Sequence, residues 1–261
     1  MILRRIAQHM KQQHWTGVFI ELVIVILGVF IGLQVSNWNE AREAARKGVG
    51  FSRRLTADMR VEAWSYEVTI DYLNSVKTNI DHALKALDGE TNASDEQLLV
   101  YAFRATQYAG VGVTRRATFD ELTSTGSLGL IADKKLLNTA MLLYNSGVLE
   151  GAMTEGISSA YRIEFRKMLS VDVQVALNEH CGDKFVPIGD YSVIGHQLNY
   201  ACKTGLQPAQ IEKAANVLRT DPEFVALLRL RAMNVRGQLS NLSVSNQDLR
   251  ESLRTVAGPR P

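Results

Sequence analysis

Apolar residues are spaced unevenly along this chain, and the spacing predicts one kind of element almost throughout. From 16 to 33 the sequence reads TGVFIELVIVILGVFIGL, eighteen residues with a single charge at Glu21. That is close to the ~20 apolar residues a helix needs to cross a hydrocarbon core of about 30 Å. Trp15 and Trp38 border the run 23 residues apart, a separation of about 34 Å along a helix. It suits aromatic belts at two interfaces. No small-x-small cleavage pattern follows, so the run predicts an uncleaved anchor over 16–38 rather than a removed signal. Before it, Ile2, Ile6 and Met10 share a stripe while Arg4, Arg5 and Lys11 lie elsewhere. This reads as a short basic amphipathic segment over 1–15, lying in the membrane interface.

Beyond Trp38 the pattern changes period without losing helical character. NEAREAARK is strongly helix-forming, so the anchor helix is expected to continue, with Gly48 and Gly50 the first positions where it could break. Leu55, Met59, Trp64, Val68, Tyr72, Val76, Ile80, Ala83 and Leu87 then recur every three to five residues, as one amphipathic face would. Asp88-Gly89 ends that helix, and Ser94 with Gln97 forms a capping box for a second, to about Tyr108. Residues 110–114 read as a connector. Thr118 with Glu121 resembles another capping box, with Gly126 where a C-terminal cap belongs. Asp133 opens a helix through Tyr144. A long helix is predicted from Leu149 to His180, its apolar side formed by Ile157, Tyr161, Phe165, Met168, Val171 and Val175. Pro208 suits the first turn of a helix to Leu218, and Asp221-Pro222 starts the last one. The predicted fold is all-α: one N-terminal transmembrane helix continuing into an irregular antiparallel helical bundle. The extramembrane domain is expected over 39–261.

Composition sharpens this picture only in places. Among 261 residues the formal net charge is +2, which argues against a nucleic-acid surface. The two cysteines, Cys181 and Cys202, bracket the least helical stretch, which holds Gly182, Pro187, Gly189 and Gly195. A disulfide closing a loop of about 20 residues contributes on the order of 3 kcal/mol and persists in oxidising compartments. The expectation is a Cys181–Cys202 bond around an irregular loop at 181–202, in a domain outside the cytoplasm. Two buried reduced thiols are the alternative. Basic residues flank the anchor on both sides, so charge alone leaves orientation open. A cytoplasmic N-terminus with the bulk of the chain in the periplasm is the expected arrangement.

Within the anchor, Glu21, Gly28 and Gly32 fall on one helical face, because 100° per residue puts each glycine 20° to either side of the carboxyl. Small residues at that spacing let helix backbones approach, and a carboxyl in hydrocarbon usually faces protein or water. These three residues are the candidate face for self-association or for a partner transmembrane helix. The alternative is a snorkelling Glu21 with glycines that merely thin the helix.

Two segments, IGLQVSNWNE at 31–40 and TFDELTSTGSLGLIADKKLLNTAMLLY at 118–144, carry a resemblance. The chain is similar to an uncharacterised bacterial family of single-pass membrane proteins. Its members have an N-terminal helix with an early Glu and a Gln-x-x-Asn-Trp-Asn-Glu ending, here Glu21, Gln34, Asn37, Trp38, Asn39 and Glu40. Downstream they carry a Thr-aromatic-x-Glu segment and a Ser/Thr-Gly turn, here Thr118, Phe119, Glu121 and Gly126. The resemblance covers the first 40 residues and about 30 further on. It implies a bacterial inner-membrane location and no catalytic residue.

Candidate chemistry is sparse. His180, Cys181, His196 and Cys202 could offer zinc four ligands, but no CxxC or HxxxH spacing is present, and no metal or cofactor is expected. Arg104, Arg115 and Arg116 with Glu121 could line an enzyme cleft, although no nucleophile motif accompanies them. The expected function is that of a non-enzymatic, membrane-anchored helical domain of an envelope assembly: a scaffold, an accessory subunit or a ligand-binding component. The lipid bilayer is its first partner. A membrane-anchored enzyme of unrecognised type is the alternative. A polar pocket with perturbed titratable groups would favour the enzyme, and an exposed apolar or aromatic face the scaffold.

Overall fold

A computed structural model describes residues 15–110 and 114–258. The amphipathic segment expected over 1–15 lies, but for Trp15, outside these residues, as do Val111, Gly112 and Val113 of the predicted connector. Every regular element described is helical, and no strand occurs among the described residues. The first helix, α1, runs Trp15–Leu87 without interruption. The chain divides into two units, Met1–Phe51 and Ser52–Pro261.

In the first unit the apolar run stays uncovered. A window of mean hydropathy 2.4 has none of its residues buried, and Phe19, Ile24 and Phe30 are each more than half exposed. The break expected at Gly48 and Gly50 does not occur. Each glycine weakens a helix by only about 1 kcal/mol, and strong helix formers stand on both sides.

The second unit is built around residues 52–87 of α1. Leu55, Met59, Val76, Ile80 and Ala83 are buried as the spacing predicts, but from 62 to 70 every residue is buried. This stretch is packed all round, not on one face, because other elements bring partners to several of its polar groups. Glu62 accepts the Arg115 backbone N–H. The Tyr66 hydroxyl donates to the Leu242 carbonyl at 2.9 Å. Glu67 accepts from Arg250 at 2.8 and 2.9 Å and from Arg254 at 2.8 and 3.2 Å.

The remaining helices start where local chemistry dictates. Helix α2, Asp95–Ala105, opens on the predicted capping box, in which Ser94 and Gln97 exchange bonds of 2.9 and 3.2 Å. It stops before Tyr108, at a point where arginines take its last carbonyl and the two that follow: Arg231 takes Ala105 and Gln107, and Arg162 takes Thr106. Helix α3, Ala117–Ser124, corrects the second predicted box. Thr118 lies inside the helix and donates to Asp58 at 2.5 Å, while Glu121 pairs with Arg54 at 2.8 Å. Gly126, in the left-handed region at φ 67°, closes it as expected. A 3-10 turn, Ser127–Leu130, leads to α4, Lys134–Ser146, capped by Asp133.

The single helix predicted over 149–180 is three: α5 Val148–Ile157, α6 Ala160–Met168 and α7 Val171–Cys181. Breaks at Ser158-Ser159 and Leu169-Ser170 reset the helical phase. Tyr161 and Phe165 remain in the core, whereas Ile157, Val171 and Val175 are 46%, 72% and 47% exposed. In α7 the buried residues are instead Val173, Leu177 and Cys181. Gly156 permits a close approach here, since a Cβ on it would lie 2.3 Å from that of Tyr108. Helices α8, Pro208–Thr220, and α9, Pro222–Ser240, start at their prolines. The segment after Asp221 is not one terminal helix: a π turn, Asn241–Ser245, separates α9 from α10, Gln247–Ala257. Helix α2 packs on α7 and α8, α6 on α9, and α4 on α10.

Candidate functional site

The irregular segment after α7 is tied down at many points. Cys181 and Cys202 form a disulfide with Cα atoms 5.5 Å apart. Buried Arg104 donates to the carbonyls of Cys181 (3.2 Å) and Tyr200 (3.0 Å), with its guanidinium 4.5 Å from the Tyr200 ring centre. The Tyr200 hydroxyl donates to the Gly182 carbonyl at 2.5 Å. Val186 and Ile194 of this segment pack on Trp64 and Val68 of α1. The Trp64 indole donates to the Asp190 carbonyl at 3.0 Å. A short 3-10 turn, Ile194–His196, lies within it.

Between this segment and α1 lies a cleft of about 570 Å³, lined by Trp64, Tyr72, Tyr108, Arg162, Asp183 and Phe185. The Tyr72 hydroxyl donates to Asp183 at 2.7 Å. The Arg162 guanidinium lies 4.8 Å from the Tyr108 ring centre and donates to the Thr106 carbonyl at 3.0 Å. Burial, then the Asp183 charge, pushes the Tyr72 hydroxyl well above the usual phenol range. Burial pushes the Asp183 carboxyl up, against the Tyr72 hydrogen bond and the Arg162 charge, which pull it down. Burial and neighbouring Arg166 lower Arg162, which still remains a cation at neutral pH. Phe185 and Ile188, also lining the cleft, are 88% and 58% exposed. Aromatic walls, one stacked cation and an uncovered apolar rim suit the binding of an amphipathic ligand or segment.

Residues singled out from sequence are dispersed. Glu121 pairs with Arg54, Arg116 with Asp120 at 3.0 Å, and Arg104 is committed to the disulfide segment. Of that group only Arg115 lines the 570 Å³ cleft. They form no common enzyme cleft. Two of the four zinc candidates are consumed in the disulfide, and no group of three or more His, Cys, Asp or Glu suited to a metal stands together among the described residues. Nothing lies within 4 Å of where a Cβ would stand on Gly28 or Gly32. Trp38 is 61% exposed, with Arg42 5.5 Å above its ring. Of the cleft residues, Trp64 and Tyr72 were legible as part of the buried face, and Asp183 and Phe185 as part of the cysteine-bracketed loop. Nothing local marks Arg162 or Tyr108.

No family model, curated protein or solved structure matches this chain.

Proposed function

We propose that this chain is a single-pass protein of the bacterial inner membrane, with a cytoplasmic N-terminus and a periplasmic, non-enzymatic binding domain that serves an envelope assembly as a scaffold or accessory component. The observation that carries this reading is the apolar window of α1, wholly unburied, on the same helix whose later turns form the core of a folded unit. An uncovered run of that length calls for a lipid surrounding. The disulfide supports an oxidising compartment. The resemblance to the uncharacterised bacterial membrane family agrees with the location. We read the second unit as an irregular antiparallel bundle, on the short connections from α4 to α7 and between α8 and α9. The exposed Phe185 and Ile188 beside the cleft support binding over catalysis.

A reporter active only in the periplasm, fused after Pro261, should give signal in whole cells, and the chain should stay in the membrane pellet through alkaline carbonate. Signal from a cytoplasm-only reporter instead would overturn the orientation, and release by carbonate would overturn the anchor.

We also propose that Glu21, Gly28 and Gly32 form a contact face for a second copy or a partner transmembrane helix, which their shared side of an uncovered helix supports. Gly28→Ile with Gly32→Ile should weaken crosslinked dimers or heteromers in membranes; unchanged crosslinking rejects the face. A membrane-anchored enzyme working in the 570 Å³ cleft is the second reading, favoured by the raised Asp183 carboxyl beside Tyr72 and Arg162.

A further inference from the structure

Glu62 is the most deeply buried carboxylate on α1, 2% exposed. One of its oxygens, Oε1, accepts the Arg115 backbone N–H. Among the described residues its other oxygen accepts no hydrogen bond and Glu62 makes no ion pair; the positive charge of Arg115 acts on it without a bridge. An ionised carboxylate removed from water without a directly paired countercharge costs several kcal/mol. Yet Glu62 does not sit in solid packing. It lines a second cavity, of about 360 Å³, whose apolar walls come from Leu143, Val148, Leu149 and Met153.

The charges around this cavity favour a cation. Asp58, one turn earlier on α1, adds negative charge that opposes the positive charge of Arg115, and Glu150 stands on the cavity lining. Arg116, also on the lining, is already committed to Asp120 and lies 5.6 Å from the Tyr144 ring centre. Tyr144 is held in place by its hydroxyl, which donates to the Arg115 carbonyl at 2.6 Å. A metal ion would need six or more oxygens, or a compact set of carboxylates and imidazoles. No such group of three stands together among the described residues. An organic ammonium needs less: one carboxylate, the hydroxyls of Ser65 and Thr114 on the same lining, and apolar wall for its chain.

We propose that this cavity binds a primary ammonium group carried on an aliphatic chain, with the Glu62 carboxylate as its counterion. The site adjoins the aromatic cleft, sharing Ser65 and Ala109 with its lining, but does not depend on the reading of that cleft. The ammonium could belong to a free alkylamine or to a lysine side chain, and both present the same chemistry to Glu62.

Proton linkage gives the site a signature. Burial, with the Asp58 charge adding to it, pushes the Glu62 carboxyl above its ordinary value, against the Arg115 N–H and charge. The other titratable groups on the cavity lining are Arg116 before α3, Tyr144 on α4 and Glu150 on α5, and Asp120 on α3 acts on Tyr144. An ammonium requires the ionised carboxylate, so binding should weaken as pH falls through the raised value and should release a proton from Glu62.

The test is calorimetric titration of the full chain in mild detergent with n-pentylamine, n-pentanol and a terminally blocked Gly-Lys-Gly peptide. The amine or the peptide should bind, more weakly as the pH of the titration is lowered and the Glu62 carboxyl takes up its proton, and pentanol should bind more weakly than either at neutral pH. Glu62→Gln keeps an acceptor for the Arg115 N–H and should weaken amine binding roughly 10- to 100-fold. Asp183→Asn, in the other cleft, should leave it unchanged. Should Glu62→Gln fail to fold, Met153→Trp, which adds bulk to the cavity wall, should weaken binding in its place. Binding of pentylamine alone assigns the site to free amines, and of the peptide alone to a protein partner. No binding by either, equal binding of pentanol, or amine binding unchanged in Glu62→Gln or, where that variant does not fold, in Met153→Trp overturns the proposal.

Discussion

Arg231→Met is expected to destabilise the second unit by about 3–5 kcal/mol, the usual effect of removing one partner from a buried ion pair. Arg231 is 1% exposed. Its guanidinium pairs with Glu155 and also donates to the carbonyls of Ala105 (3.3 Å) and Gln107 (2.9 Å). One side chain on α9 thus closes the end of α2 and ties it to α5. Methionine fills similar volume but leaves both carbonyls without a donor and the Glu155 carboxylate with only the Asn234 amide, which donates to it at 3.1 Å. For a unit of this size the melting temperature should fall by roughly 10 °C, read by calorimetry in detergent. Pairing it with Glu155→Met should restore part of the loss, because an apolar pair replaces a carboxylate left without its counterion. Full restoration is not expected, since the two carbonyls remain. A drop of less than about 2 °C for Arg231→Met would remove Arg231 from its structural role.

The second large effect belongs to Glu67 and carries a pH dependence. Burial alone would raise this carboxyl, but the hydrogen bonds and charges of Arg250 and Arg254 outweigh it and hold it at about 2 against an ordinary 4.5. Glu67 is 6% exposed, so little of that interaction is screened by water. It contributes roughly 2 to 3 kcal/mol at neutral pH. Because the folded value is depressed, the contribution is fully present above 4.5 and is lost as pH falls toward about 2. Glu62 and Asp183, raised by burial, act in the opposite sense: their contribution is present below their ordinary 4.5 and 3.8 and is lost as pH rises through their folded values. Glu67→Gln should therefore unfold earlier in urea at neutral pH and lose most of the acid limb. Glu96, held down by the Thr204 N–H and hydroxyl, keeps a shallow one. An acid limb as steep in Glu67→Gln as in the unsubstituted protein would show that the Arg250–Glu67–Arg254 clamp does not anchor α10.

Both predictions concern residues the sequence did not point to, and the reason is the same for each. A buried ion pair joins positions 76 residues apart for Arg231 and Glu155, and 183 apart for Arg250 and Glu67. Nothing in the neighbourhood of any of the four distinguishes it from a charge on a solvated helix face. The aromatic cleft was half legible. Trp64 and Tyr72 carry the helical spacing, and the glycines and cysteines mark the loop that covers them, but Arg162 arrives from α6 through packing alone. The predicted helix over 149–180 failed for a related reason. Apolar spacing continued through Ser158-Ser159 and Ser170, and the two breaks that rephase α6 and α7 follow from what each helix packs against.

What the sequence determined by itself is most of what chemistry within a few residues governs. The apolar run of α1, the starts of helices at Ser94, Asp133, Pro208 and Asp221, the stops at Gly89 and Gly126, and the all-helical class depend on periodicity, caps and backbone freedom. These act over at most a few turns. The tertiary structure alone decided that residues 62–70 are enclosed on every side, so that Glu62 faces a cavity and Glu67 a pair of arginines. Whether a polar side chain on a helix meets water, a counterion or an empty pocket depends on which distant helix packs over it, and no local pattern encodes that.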